Sequence, residues 1–260
     1  MLNDDNNSFV PLEEIKDKKV FIATPCYGGM LFQEYVDAIL NTTFQFIMQG
    51  MALEIYFAGN ESLIPRARNH IVAEFMSTNA THLLFIDADI RFKPQDIFRL
   101  LQQNKNIVCG AYPLKTLPIK YVVNFPPEAQ AHEDSELVEV KDAGTGFLLI
   151  SRESIIKMQE EHPHLHYTSD LEWGYRDEVK DPQKISLLKE NLFSLFDSSH
   201  DEEENNAWLS EDYTFCRRWQ KIGGKIWLDS SIKLDHIGKH VYEGEVSKLI
   251  DFKNSHINDM

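Results

Sequence analysis

The chain has 260 residues, 43% of them hydrophobic and 26% charged, with a formal net charge of −15. That length can bury the core of one α/β domain, and the charge excludes a broad basic surface for nucleic acid or anionic membrane while leaving room for a small basic pocket. Three scattered cysteines, Cys26, Cys109 and Cys216, fit reduced thiols in a soluble, cytoplasmic protein, and no apolar run nears the roughly 18 residues needed to cross a bilayer.

Residues 1–18 are polar, lack the apolar heart of a signal peptide, and read as a flexible N-terminal segment. Lys19 to Thr24 is a β-branched apolar run ending in Pro25-Cys26-Tyr27-Gly28-Gly29, a strand followed by a tight loop. Leu31, Tyr35 and Ile39 then recur at helical spacing. Leu53 to Ala58 reads as a second strand, and Pro65 opens a helix whose Ile64, Ala67, Ile71 and Phe75 share a core face.

Leu83 to Ile86 is an unbroken apolar run, as expected of a strand buried on both faces of a parallel sheet. It stops at Asp87-Ala88-Asp89. In an extended chain residues two apart point the same way, so both carboxylates are expected to aim at one point beyond the strand end. Ligands of open α/β sheets bind at that end, and paired carboxylates there suit Mg²⁺ or Mn²⁺ gripping phosphate oxygens. The tripeptide also fits a plain polar turn.

The β-α-β-α-β order is the opening half of a doubly wound nucleotide-binding fold. Pro94 starts another helix with Ile97, Leu100 and Leu101, and Ile107 to Tyr112 reads as a fourth strand. From Pro113 to Glu136 four prolines loosen the pattern into a hairpin or loop over the sheet end. Gly144-Thr145-Gly146 precedes a buried strand, Phe147 to Ile150, and Ser151 caps a short helix. Residues 160–206 read as an insertion or flap with a solvated acidic run, Asp201 to Glu204. Its His162, His164 and His166 lack the spacing of a zinc site. Ser210 caps a helix with Phe215, Cys216, Trp219 and Ile222 on one face, ended by Gly223-Gly224. Short strands at Lys225 to Leu228 and Ile232 to Leu234 lead to His236, before a C-terminal tail, 247–260.

In order, these motifs are Thr24-Pro25-Cys26-Tyr27, Arg66-Ala67-Arg68-Asn69, Asp87-Ala88-Asp89, Gly144-Thr145-Gly146, Ser210-Glu211-Asp212 and His236. Together they resemble the GT-A class of nucleotide-sugar glycosyltransferases, nearest to family 2-like inverting enzymes and Anp1-type mannosyltransferases. The resemblance runs from about Val20 to Gly244 and leaves 160–206 without a counterpart. It implies a single Rossmann-like α/β domain over 19–246, with a mostly parallel central sheet flanked by helices. It also implies a metal-dependent, hexosyltransferase-like enzyme that moves a sugar from a UDP- or GDP-linked donor to an acceptor hydroxyl, with inversion. The acceptor it implies is a glycan, lipid, protein or small molecule.

By that resemblance Asp89 is the direct metal ligand, and Asp87 reaches the ribose or the metal. His236 returns an imidazole to the same Mn²⁺ or Mg²⁺, or is simply a satisfied histidine. Arg66 and Arg68, near a helix start, suit a diphosphate, although Arg68 lies on an apolar face where Glu61 or Asp87 would give it a structural partner. Asn69 is assigned to the ribose or base. Thr24, Pro25 and Tyr27 are assigned to the nucleoside pocket, Tyr27 stacking on the base or serving as a turn aromatic. Ala88 and Gly146 bring backbone close to the donor. Asp212 is implied as the general base and Glu211 as its neighbour positioning the acceptor; both also suit a helix dipole. Trp208 reads as a sugar-stacking or a core residue. Two other readings are a nucleotidyltransferase making nucleotide sugars, which the lack of a basic residue in Thr24 to Gly29 disfavours, and a non-catalytic nucleotide- or carbohydrate-binding module.

Overall fold

The computed structural model describes residues 10–59, 61–127, 136–168, 181–201 and 204–248. The first half runs β1 (Val20–Cys26), α1 (Gln33–Gln49), β2 (Leu53–Gly59), α2 (Ile64–Met76), β3 (His82–Ile86), β4 (Ile90–Arg91), α3 (Pro94–Gln102) and β5 (Ile107–Cys109). After a loop, β6 (Val123–Asn124), β7 (Leu137–Val140), β8 (Asp142–Ala143) and β9 (Phe147–Ser151) precede α4 (Arg152–Glu161), α5 (Pro182–Glu190) and β10 (Ser199–Asp201). The chain then forms β11 (Ala207–Leu209), α6 (Glu211–Lys221), β12 (Ile226–Asp229), β13 (Asp235–Ile237) and β14 (Val241–Glu243).

The α/β class expected from the sequence is the class observed. One seven-stranded sheet has the order β2-β1-β3-β9-β5-β12-β7. β2, β1, β3, β5 and β12 run one way, and β9 and β7 run against them. Strand alternation sends Phe21, Leu83, Phe85, Leu148 and Ile150 to one face, against Ile71 and Phe75 of α2 and Phe215 and Trp219 of α6. Ile22, Leu84, Ile86, Phe147 and Leu149 go to the other face, against Tyr35 and Phe46 of α1 and Ile97 and Leu101 of α3. Both faces are covered, which is why these strands read as continuous apolar runs. Each fully buried Leu, Ile or Phe contributes roughly 1.5–3 kcal/mol.

Several expectations change. The chain is already docked from Val10 onward: Val10 N–H donates to the Gln102 carbonyl at 2.8 Å, and Ile15 is wholly buried. Residues 1–9 and 249–260, and so most of the expected tail, lie outside the described residues. The strand expected at Ile232 to Leu234 lies instead at Asp235–Ile237. The ends of the acidic run are paired rather than merely solvated: Asp201 is buried 3.2 Å from Arg217, and Glu204 meets Lys141. Within 160–206 stand α5 and β10, which pairs with β11 just beyond it, while 169–180 and 202–203 lie outside the described residues. No helix among the described residues is long and apolar enough to cross a membrane.

Candidate active site

The site forms where β3 gives out. After Ile86 the chain turns back, and Ile90 N–H donates to the Asp87 carbonyl at 3.1 Å. Other segments pin this turn through backbone bonds: Asp87 N–H to Gly146 O at 3.0 Å, Phe32 N–H to Ala88 O at 3.1 Å, and Ile237 N–H to Asp89 O at 2.8 Å. The expectation that both carboxylates aim at one point assumes an extended chain, whereas the backbone here turns. Two-residue alternation holds for extended backbone only, and here a turn sends the carboxylates to different partners.

Asp87 faces Arg68. The Arg68 side chain is buried on α2, with Nη2 3.1 Å from Asp87 Oδ1 and Nε 3.4 Å from Glu211 Oε1. Its guanidinium lies 5.4 Å from the Phe85 ring centroid, and Nη1 finds no hydrogen-bond partner among the described residues. Of the partners considered from the sequence, Asp87 is the one found; Glu61 instead forms a two-pronged pair with Arg66, at 2.5 and 2.7 Å. Asn69, expected at a ribose or base, is buried. Its amide donates to Phe196 O and accepts from Phe196 N–H, both at 2.8 Å, so it braces the segment before β10.

Asp89 faces His236. β13 pairs with β4 so that His236 stands opposite Ile90, and a cross-strand ion pair, Arg91 with Asp235 at 2.6 Å, holds that register. His236 Nδ1 is 2.8 Å from the Pro113 carbonyl. A carbonyl only accepts, so Nδ1 carries a proton and Nε2 is directed to the site. Nε2 is 3.4 Å from Asp89 Oδ2, and Lys115 Nζ contacts that same oxygen at 2.5 Å. Although burial opposes ionisation of Asp89, His236 and Lys115 beside it hold its pKa below the usual carboxylate range. Ligands about 2.1 Å from one divalent ion stand roughly 3.0–3.4 Å apart on neighbouring vertices, so these two atoms fit one coordination sphere. Among the described residues no three His, Cys, Asp or Glu side chains form a cage. Asp89 and His236 are thus the pair that could hold a cation, with room left for phosphate oxygens.

The two halves meet around Tyr112, which the sequence did not single out. Its buried hydroxyl accepts from Gly146 N–H at 3.2 Å, and its ring stands edge-on to His236 with centroids 5.4 Å apart. Burial, with Asp87 and Asp212 nearby, pushes its pKa well above normal. A Cβ on Gly146 would lie 2.7 Å from Tyr112 Cζ and 2.9 Å from Asp87 Oδ2, so glycine is needed there for close packing. Between the two glycines Thr145 is fully buried, its hydroxyl without a partner among the described residues.

Asp212 opens α6. Burial raises its carboxyl pKa, opposed by a hydrogen bond from Ser210 Oγ and by Arg68, and reinforced by Glu211. Ser210 occupies the cap position as expected, but its hydroxyl bonds Asp212 rather than the helix backbone. Three residues before Glu211, Trp208 is 67% exposed on the β10–β11 hairpin, so the core reading of it is excluded. At the β1 end Thr24 and Pro25 are buried, Thr24 bonded to Tyr35 at 2.5 Å, whereas Tyr27 is 67% exposed and free to stack. His166 bonds the Lys189 carbonyl at 3.0 Å, and its two neighbours join no metal cluster among the described residues.

No family model and no curated protein matches the chain. Among solved structures, A197 from STIV is 17% identical with a TM-score of 0.48, covering 85% of this chain and 86% of that one. GalNAc-T7, solved with UDP, GalNAc and Mn²⁺, is 11% identical with a TM-score of 0.44; 86% of this chain is covered but only 44% of that one. The 4-diphosphocytidyl-2C-methyl-D-erythritol synthase from Anaerococcus prevotii is 9% identical with a TM-score of 0.36, over 68% of this chain and 97% of that one.

Proposed function

We propose that the chain is a glycosyltransferase that moves a sugar from a nucleoside diphosphate donor, UDP- or GDP-linked, to an acceptor hydroxyl with inversion. The observation that carries this reading is the meeting of two unlike half-sites around Tyr112. One is a carboxylate and imidazole pair, Asp89 and His236, suited to a divalent cation. The other holds a half-buried carboxylate of raised pKa, Asp212, whose charge acts on Tyr112 and which is suited to take a proton. Transfer of a glycosyl group needs both functions: charge neutralisation on the departing diphosphate and a base for the incoming hydroxyl.

In this scheme Asp212 accepts the acceptor hydroxyl proton as that oxygen bonds the anomeric carbon. The bond from the anomeric carbon to the diphosphate oxygen breaks in the same displacement, its electron pair leaving with the diphosphate. Mn²⁺ or Mg²⁺ held by Asp89 and His236 would supply electrostatic stabilisation of that leaving group. Arg68 keeps Asp87 and Glu211 in place and so aligns the metal-side turn with the start of α6. Tyr27 is assigned to the donor base, and Trp208 to a sugar face on the acceptor side.

The direct experiment follows thermal unfolding across a panel of nucleotide sugars with and without Mn²⁺. A ligand bound only by the folded state raises its stability. A UDP- or GDP-sugar should raise the melting temperature in a Mn²⁺-dependent way. A panel in which nucleotide sugars leave it unmoved rejects the reading. NMR of the product anomer then reports inversion or retention.

A further inference from the structure

Lys115 sits in the loop between β5 and β6, and its ammonium contacts Asp89 Oδ2, the oxygen that His236 Nε2 also approaches. The same loop supplies the Pro113 carbonyl that orients His236. Its base is clamped by Leu114 N–H to Lys120 O at 2.6 Å and Val122 N–H to Tyr112 O at 3.2 Å, so the lysine emerges from a tied turn. The Lys115 stem runs past Gly238, where an added Cβ would lie 3.2 Å from Cδ, and its ammonium is 5.8 Å from the Phe32 ring centroid. The side chain stays 35% exposed, leaving it room to move.

An ammonium has three donors and no lone pair, so Lys115 cannot join a coordination sphere. A divalent cation at Asp89 and His236 would need the oxygen that Lys115 now holds, and two positive charges in contact repel. On a flexible four-carbon stem with a strongly hydrated point charge, the displaced group has a natural partner in phosphate oxygens arriving beside the cation. We propose that Lys115 is a tethered counter-ion: it holds Asp89 until a divalent cation takes that carboxylate, then turns to the phosphate oxygens of the diphosphate. This rests on the assignment of Asp89 as a metal ligand and names a residue that touches the substrate from a loop with no recognisable motif.

The test uses the full chain with two probes, Mn²⁺ alone and inorganic pyrophosphate at fixed saturating free Mn²⁺, on wild type, Lys115→Ala, Lys115→Met and Asp89→Ala. Free Mn²⁺ is read by its electron paramagnetic resonance signal, without turnover. Both lysine variants should bind Mn²⁺ about fivefold more tightly than wild type, the scale of a lost half-exposed ion pair. They should bind pyrophosphate about tenfold more weakly, as expected for one lost charge-assisted contact. Methionine keeps most of the stem, so agreement between the two variants assigns the effect to charge. Mn²⁺ binding that is lost in Asp89→Ala yet unchanged or weakened in both lysine variants overturns this inference alone. Mn²⁺ binding equal in wild type and Asp89→Ala overturns it together with the metal assignment.

Discussion

Arg68 and Asp87 come from different elements, a helix and the turn after a strand, and meet at 3.1 Å with the arginine side chain buried. Through the same guanidinium Asp87 is tied to Glu211, at the start of α6. Removing the arginine would leave two largely buried carboxylates without their cation, a change that typically costs 3–5 kcal/mol. Arg68→Met should lower unfolding stability by about 3 kcal/mol in urea titrations. Arg68→Lys should recover only part of that, because one ammonium cannot reproduce the fork to both partners. A Met variant as stable as wild type would show that the bridge contributes nothing.

Asp212→Asn removes the proposed base while keeping size and one acceptor oxygen. Turnover should fall on the order of 10³-fold, with donor binding unchanged by calorimetry. In wild type, activity should be lost as pH falls through a pKa above the usual aspartate range, because burial raises it and only the ionised form accepts the proton. A raised carboxyl pKa also means that the folded state favours the protonated form. The penalty is absent below the unfolded pKa and grows as pH rises through the folded one. The Asn variant should therefore melt no lower than wild type at pH 8. Unchanged turnover would remove Asp212 from the chemistry and leave the base to another group.

Much of the framework is legible in the sequence because a sheet covered on both faces leaves unbroken apolar runs such as Leu83 to Ile86. Position is legible there; direction is not. The different partners of Asp87 and Asp89 follow from a hydrogen-bonded turn that includes contacts from Phe32, Gly146 and Ile237, none of them local. His236 stands out as a late histidine, but its approach to Asp89 depends on β13 pairing with a two-residue β4. Asn69 shows the converse: a polar residue beside a helical core stripe gives the same signal as a ligand contact or as a clamp, and only the Phe196 partner distinguishes them. Tyr112 ends an apolar run and Lys115 lies in the proline-rich loop after it, and neither carries a motif that marks a site.

Gly146→Ala tests the close approach at the centre of the site. The added methyl would press on Tyr112 and Asp87 at 2.7 and 2.9 Å. Overpacking of this kind costs about 1–3 kcal/mol, and displacement of Asp87 should disturb the Arg68 bridge. A double-mutant cycle with Arg68→Met should show coupling above about 0.5 kcal/mol; strict additivity would mean that the methyl is accommodated without moving Asp87.

His82 begins β3, buried, with Thr81 Oγ1 2.8 Å from its Nδ1. Burial, helped by the nearby Lys18 charge, lowers its pKa from 6.5 to about 3. The unfolded chain thus binds a proton that the folded chain refuses. Stability from this group is complete above pH 6.5 and is lost as pH falls toward 3, at up to about 1.4 kcal/mol per pH unit. Denaturant midpoints measured from pH 7 to pH 4 should fall along that slope, and His82→Gln should flatten the dependence. An identical slope in the variant would assign acid sensitivity to other groups.

Calorimetric titration of UDP and GDP into the protein, with and without Mn²⁺, in wild type and Asp89→Ala, tests the proposed half-site most directly. One of the two nucleotides should bind wild type only when Mn²⁺ is present, and that binding should vanish in the alanine variant. Nucleotide binding of equal strength in both proteins, indifferent to Mn²⁺, would contradict it.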